Sequence, residues 1–390
     1  MTTTTRSSAK EHGNSAKDEA PPASKAKPGS KHKVEEGANS PEPKRPKKSD
    51  EKEQKTIEET IGGSEQAKQE KQAEQKEQQE ERARDAEKED GTEAKEEADT
   101  GDAEESREDA KDIPSSILEK GIIYFFFRGR VGIDEPSDVD EIARSYIILR
   151  PIAKDAKLGS GPIGDAGNSR VCVVPKKVLP KTGKDKWISF VEKTGASFNE
   201  LKEEFLKSND YETKTAGTRH SPAATPVAEG VYAITTTGKD SHLAYILTLP
   251  DKLGEVQKEI GLKEKGSFII STRNPQYEAP QNARLPKGPE YPNEVLDEFR
   301  SLRWAPTQPS HLDYVNTQFL LVGESSGIDK ALEPQKNDVK EGKNEPAEEL
   351  EQLEEEDAQR MKDLNSDDSA RIFADLQADA GDYPKLPTTF

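Results

Sequence analysis

Large apolar residues concentrate between Ile113 and Gly323, and their spacing there alternates between strand-like and helix-like periods. The run Gly121 to Val131, GIIYFFFRGRV, is continuous, aromatic and β-branched, which predicts a central strand. Ser145 to Pro151 and Arg170 to Val174 predict two more strands, separated by a Gly- and Pro-rich loop. From Lys184 to Gly195, Trp187, Phe190 and Val191 fall on one helical face and Gly195 supplies a terminator, so the segment reads as a helix. Ser197-x-x-Glu200 has capping-box spacing before Phe198, Leu201, Phe205 and Leu206, which predicts a second helix. Gly230 to Pro250 reads as a β-hairpin around a Gly238-Lys239-Asp240 turn. Leu253 to Leu262 suggests a short helix and Gly266 to Thr272 a strand. Pro292 opens a helix with Val295, Leu296 and Phe299 inward, and Phe319 to Gly323 closes the domain as a strand. Short strands and helices without regular βαβ alternation predict one α+β domain, residues 113–327, with a mostly antiparallel sheet.

The flanks have a different composition. Between Met1 and Asp112 the large apolar residues are Met1, Val34, Ile57 and Ile61. Burial there does not offset a backbone entropy cost of roughly 1–2 kcal/mol per residue, so 1–112 is expected to be a disordered arm. Within it, residues 64–98 carry Ala as their apolar residue and pairs such as Lys76 and Glu80 at i,i+4. That pattern predicts a solvated, charged single helix; a coiled coil needs large apolar a and d positions. Of the net −19, residues 1–50 carry +4, 51–112 carry −13, 113–327 are neutral and 328–390 carry −10. A neutral domain between acidic segments argues against direct nucleic-acid binding. The start of the chain shows no signal-peptide pattern, and the longest apolar run, Ile122 to Phe127, is far below the ~20 residues of a membrane-crossing helix. No membrane association is expected, and the one cysteine, Cys172, forms no intramolecular disulfide.

Three sets of residues carry candidate functions. Lys44, Arg45, Lys47 and Lys48 form a compact basic cluster between prolines, readable as a nuclear import signal. Arg219 and His220 precede the hairpin and His242 lies on it. If the loop folds over, these three and Arg128 or Arg130 converge into an anion-binding or acid–base cluster. In the acidic tail 328–390, short amphipathic helices are expected, and Ile372, Phe373 and Leu376 match a segment that folds into a partner's groove, or else lies back on its own domain. Gly159-Ser-Gly161-Pro-Ile-Gly164 has the letters of a dinucleotide fingerprint, but Pro162 interrupts it and no strand–helix context surrounds it. His220, His242 and His311 lack metal-ligand spacing, so neither metal nor cofactor is expected.

The blocks GIIYFFFRGRV, SYIILRP, YETKTAGTRHSPAATPVAEGVYAI and SHLAYILTLP, spread over Ile117 to Gly323, resemble a family of fungal proteins and shorter bacterial ones. Its fungal members are sometimes labelled BTB-domain transcription factors. That resemblance implies nuclear regulation and one shared core with added arms; it supplies no catalytic residues. The strand pair and helical hairpins of a BTB domain are not legible in this β-rich core. Composition and resemblance together lead to a non-enzymatic nuclear binding or regulatory protein, with the cytoplasm as the alternative location. Its expected partners are proteins: an import receptor, and chromatin or transcription factors. The alternative is an anion-binding or enzymatic domain built on Arg219, His220 and His242.

Overall fold

The computed structural model describes residues 104–106, 113–214, 217–278, 285–364 and 367–390. Thirteen strands occur among them: β1 (Glu104–Ser106), β2 (Ile117–Gly129), β3 (Ile142–Ile152), β4 (Ala156–Leu158), β5 (Ser169–Val174), β6 (Lys186–Ala196), β7 (Asn209–Thr213), β8 (Gly217–Ser221), β9 (Thr225–Thr236), β10 (Ser241–Leu249), β11 (Lys265–Arg273), β12 (Trp304–Pro306) and β13 (Gln318–Gly323). The helices are α1 (Phe198–Glu200, continued by a π-helical turn Leu201–Leu206), α2 (Glu255–Ile260), α3 (Asn293–Glu298), α4 (Lys336–Glu341), α5 (Pro346–Leu364) and α6 (Asp368–Asp375).

Eight strands run β2-β3-β5-β6-β13-β11-β10-β9, each antiparallel to its neighbours. β9 pairs back onto β2, so the sheet closes into a barrel, and β12 extends the wall beside the end of β11. Closure removes the unpaired edges that an open sheet would expose. Strand alternation then sorts the aromatic run to two destinations. Ile123, Phe125 and Phe127 enter the interior with Ile147, Cys172, Tyr245 and Phe268, whereas Ile122, Tyr124 and Phe126 face outward. The outward set is buried as well, because α1 and the C-terminal helices cover that wall. This is why the Phe run carries no alternating polar residues: both faces are packed. At two glycines the neighbouring strand leaves no room for a side chain. A Cβ on Gly121 would lie 2.0 Å from the Arg150 carbonyl oxygen, and one on Gly230 2.1 Å from that of Ile246.

Both mouths of the barrel are sealed. At one, the turn Pro309–Asp313 inserts Leu312. Behind it Arg170 donates to both Glu119 oxygens at 2.7 and 2.8 Å and to Asp313 at 2.8 Å, while the Tyr232 hydroxyl donates to Glu119 at 2.8 Å. At the other mouth α2 contributes Val256 and Ile260, and Phe390 packs beside them. The Glu255 amide donates to the Thr388 carbonyl at 2.7 Å, which fixes the end of the chain there. A void bounded by Cys172, Leu312 and Phe319 among others is about 10 Å3, room for at most one water molecule.

The antiparallel sheet, the hairpin with its Gly238 turn, and the Ser197–Glu200 capping box follow the expectation from sequence. Two expectations are corrected. Lys186–Ala196 is a strand, not a helix, because β5 and β13 take its backbone on either side and Ser189 and Val191 alternate inward with Phe190 outward. Gly195 does adopt the left-handed conformation, φ +59°, but at an irregularity in the β5–β6 register. The tail is not an appendage to a domain ending at residue 327. Residues 328–390 belong to the same compact unit as the barrel, and Leu350, Leu353, Met361, Ile372, Phe373 and Leu376 are buried on its wall. The charged-helix segment 64–98 and the basic cluster lie outside the described residues; within the expected arm, Glu104–Ser106 pairs with β4.

Candidate functional site

With the interior filled, concavity is found on the outside. A groove of about 770 Å3 runs over β3, β5 and β6, between α1 and the β7–β8 hairpin. Tyr146 and Phe205 line its floor, and Val131 and Tyr211, 45% and 40% exposed, its rim. Phe205 meets Phe126 and Tyr146 edge-on at centroid separations of 5.6 and 4.9 Å, which holds α1 on the wall.

The charges of the groove fall into satisfied and unsatisfied sets. Lys193 pairs with Glu200 and Glu204 at 3.2 and 2.7 Å, and Lys207 with Glu203 at 2.6 Å. Arg128 spends its donors on backbone carbonyls: Pro222 at 2.5 Å, Lys207 at 3.3 Å, and Phe205. Its guanidinium lies 5.4 Å from the Phe205 ring centroid. Arg144 makes no hydrogen bond or ion pair among the described residues, yet it stands directly opposite Arg128 in the β2–β3 register. Like charges in that position repel. The Arg128–Arg144 pair is therefore an electropositive spot at the foot of an aromatic groove, with Glu192 as the remaining acid on the lining.

The five residues expected to converge do not. Arg128 lines the groove, Arg130 and Arg219 are exposed, and His242 has no exposed surface. His220 precedes the start of β9 at Thr225, whereas His242 lies opposite Thr235. At ~3.3 Å per strand residue the intervening stretch of β9 alone spans roughly 30 Å. His242 Nδ1 is 3.1 Å from Glu324, whose same oxygen accepts from Ser267 at 2.7 Å. His220 instead bridges Asp210 at 2.6 Å and Asp134 at 3.0 Å, tying the hairpin to the 130–134 turn. Asn209, Tyr211 and Ser221 point into the groove, so alternation puts Asp210 and His220 on the hairpin's other face. The hydrogen bonds to Asp210 and then Asp134 raise the His220 pKa. The tie is thus present at acidic pH and is lost as pH rises through the folded-state value.

Ile372, Phe373 and Leu376 are 0–1% exposed and pack in the core cluster against the barrel wall. Cys172 faces the barrel interior and burial pushes its thiol up to about 12, which leaves it a core residue. The glycine loop is anchored by Ile163, fully buried, with its amide donating to Asp375 at 3.3 Å. Among the described residues no three His, Cys, Asp or Glu side chains are grouped to hold a metal, and no helix is long and apolar enough to cross a membrane. Sequence reading missed Arg144 and Tyr211 because neither has a local pattern; only the strand register sets Arg144 against Arg128. Comparison with protein-family models, curated proteins and solved structures finds no match.

Proposed function

We propose that this protein is a non-enzymatic binding module in which a sealed barrel serves as scaffold and the outer groove receives an acidic, extended polypeptide segment. The observation that carries this reading is the uncompensated Arg128–Arg144 pair on the groove wall, next to Tyr146, Phe205 and the exposed Tyr211. An acidic side chain placed there relieves the cation repulsion, and the aromatic rings offer apolar contact along the neighbouring residues. The buried Cys172 and His242 have no surface at which a substrate would meet them, which favours binding over catalysis. The test is titration of the full chain with Asp/Glu/Tyr-rich peptides at two salt concentrations. Arg144→Glu is expected to weaken binding at least about tenfold, roughly 1.4 kcal/mol. Equal affinity in Arg144→Glu sinks the proposal, and competition by inorganic phosphate alone assigns the site to small anions instead.

The regulatory part of the reading, a nuclear protein that acts on protein partners, rests on Lys44, Arg45, Lys47 and Lys48. Replacing all four by Ala in a fluorescent fusion is expected to move the signal from nucleus to cytoplasm. An unchanged distribution removes that part and leaves the cytoplasmic alternative.

A further inference from the structure

Tail helices α5 and α6 meet the barrel wall through ionisable groups that have no contact with solvent. Asp357 and Arg360 on α5, Asp375 on α6 and Glu229 on β9 are all 0–1% exposed. Arg360 donates to Asp357 from Nε at 3.2 Å and from Nη2 at 2.5 Å, and to Asp375 from Nη1. The Tyr124 hydroxyl on β2 donates to the other Asp375 oxygen. Glu229 is left over. Its nearest cation is Arg360 Nη2 at 3.9 Å, and both its oxygens, like Asp357 Oδ2, meet no N–H or O–H donor. Its neighbour is another carboxyl, Asp357, which accepts from the same Arg360 Nη2 at 2.5 Å.

Two carboxylates in dry contact repel unless a proton lies between them. The charge balance around them points the same way. The groups facing this spot are Tyr124 from β2, Arg150 from β3, Glu229 from β9, Asp357 and Arg360 from α5 and Asp375 from α6. With Glu229 protonated, two arginines face two carboxylates; with it ionised, a third buried anion has no cation of its own. Lys120 and Glu349, 3.9 Å apart and 2% exposed, form a separate pair along the same interface.

We propose that Glu229 and Asp357 share one proton when the tail is seated, and that loss of this proton at rising pH loosens α5 and α6 from the barrel wall. The tail is then a strap whose closure is proton-dependent, independent of the groove and its ligand. Burial first, and the Asp357 charge second, hold the Glu229 pKa well above the usual carboxylate range. The sign follows from linkage. When the strap opens, Glu229 returns to an ordinary carboxylate pKa, so the open form releases the proton first. Seating is strongest at acidic pH, weakens as pH rises towards the seated-state value, and is level above it.

The experiment is hydrogen–deuterium exchange on the full chain from mildly acidic to mildly alkaline pH, corrected for the intrinsic pH dependence of amide exchange. Protection of residues 346–375 is expected to fall about tenfold or more across that range, one pKa unit being a factor of ten, while β5 and β13 change little. Glu229→Gln, which supplies a permanent N–H donor to Asp357, is expected to flatten the dependence. Asp357→Asn does the same from the other side and serves if the first variant does not fold. Level protection in the native chain overturns the proposal, as does an unaltered pH dependence in either variant.

Discussion

Arg360→Met is expected to lower stability by about 3–5 kcal/mol, because it leaves the buried Asp357 and Asp375 without the one guanidinium that pairs with both of them. The side chain is 1% exposed and is held by two helices at once, so it couples α5 to α6 as well as both to the barrel. Removing one partner of such a cluster costs far more than replacing the whole cluster by neutral groups. Arg360→Met combined with Asp357→Asn and Asp375→Asn is therefore expected to recover most of the loss. Arg360→Lys is expected to fall between, since a single ammonium lacks the planar fork that reaches both carboxylates. Denaturant unfolding of the four proteins checks this, and the single variant is expected to melt roughly 10 °C lower. If Arg360→Met stays within about 0.5 kcal/mol of the parent, the cluster does not hold the tail.

A chain shortened to residues 1–327 is expected to lose the native barrel as a soluble, cooperative unit. The deleted segment contributes Leu350, Leu353, Met361, Ile372, Phe373 and Leu376, which lie against a wall containing Ile122, Tyr124, Val231, Ala233, Ala244 and Ile246. Six large side chains at ~1.5–3 kcal/mol each amount to on the order of 10 kcal/mol before ordering entropy is subtracted. A whole domain retains only about 5–15 kcal/mol. The deletion also removes the Ala331 carbonyl that accepts from buried Thr235 at 2.6 Å, and Phe390 from the mouth beside α2. What remains exposes a contiguous apolar face, which favours association. Aggregation or strong dye binding of the shortened chain is the expected outcome. A monodisperse protein that melts like the full chain would show the tail to be dispensable.

The elements most legible in the sequence were those set by neighbours in the chain. Gly238, at φ +85°, turns β9 into β10, and Ser197 and Glu200 cap α1, because each device is complete within a few residues. Where the local signal was ambiguous the tertiary partner decided. Trp187, Phe190 and Val191 fit a helical face as well as a strand, and β5 and β13 on either side made the segment a strand. Asp357 carries no local signal of a role, yet in the fold it is an anchor, because Arg360 one turn later pairs with it and also with Asp375 on the next helix. The candidate groove was legible only through Arg128; its partner Arg144 gained meaning from the β2–β3 register.

The sequence by itself determined where apolar mass lies, that the domain is a mostly antiparallel sheet with short helices, and that the Phe run is one of its central strands. Closure of the sheet, the sealing of both mouths, the seating of the tail and the meeting of Arg128 with Arg144 were decided only by the tertiary structure. The physical reason is range. Propensity, capping and turn chemistry act over a few residues, whereas strand register and buried charge pairing join positions such as Glu119 and Arg170 that are far apart in sequence, and their free energy exists only once the chain has brought them together.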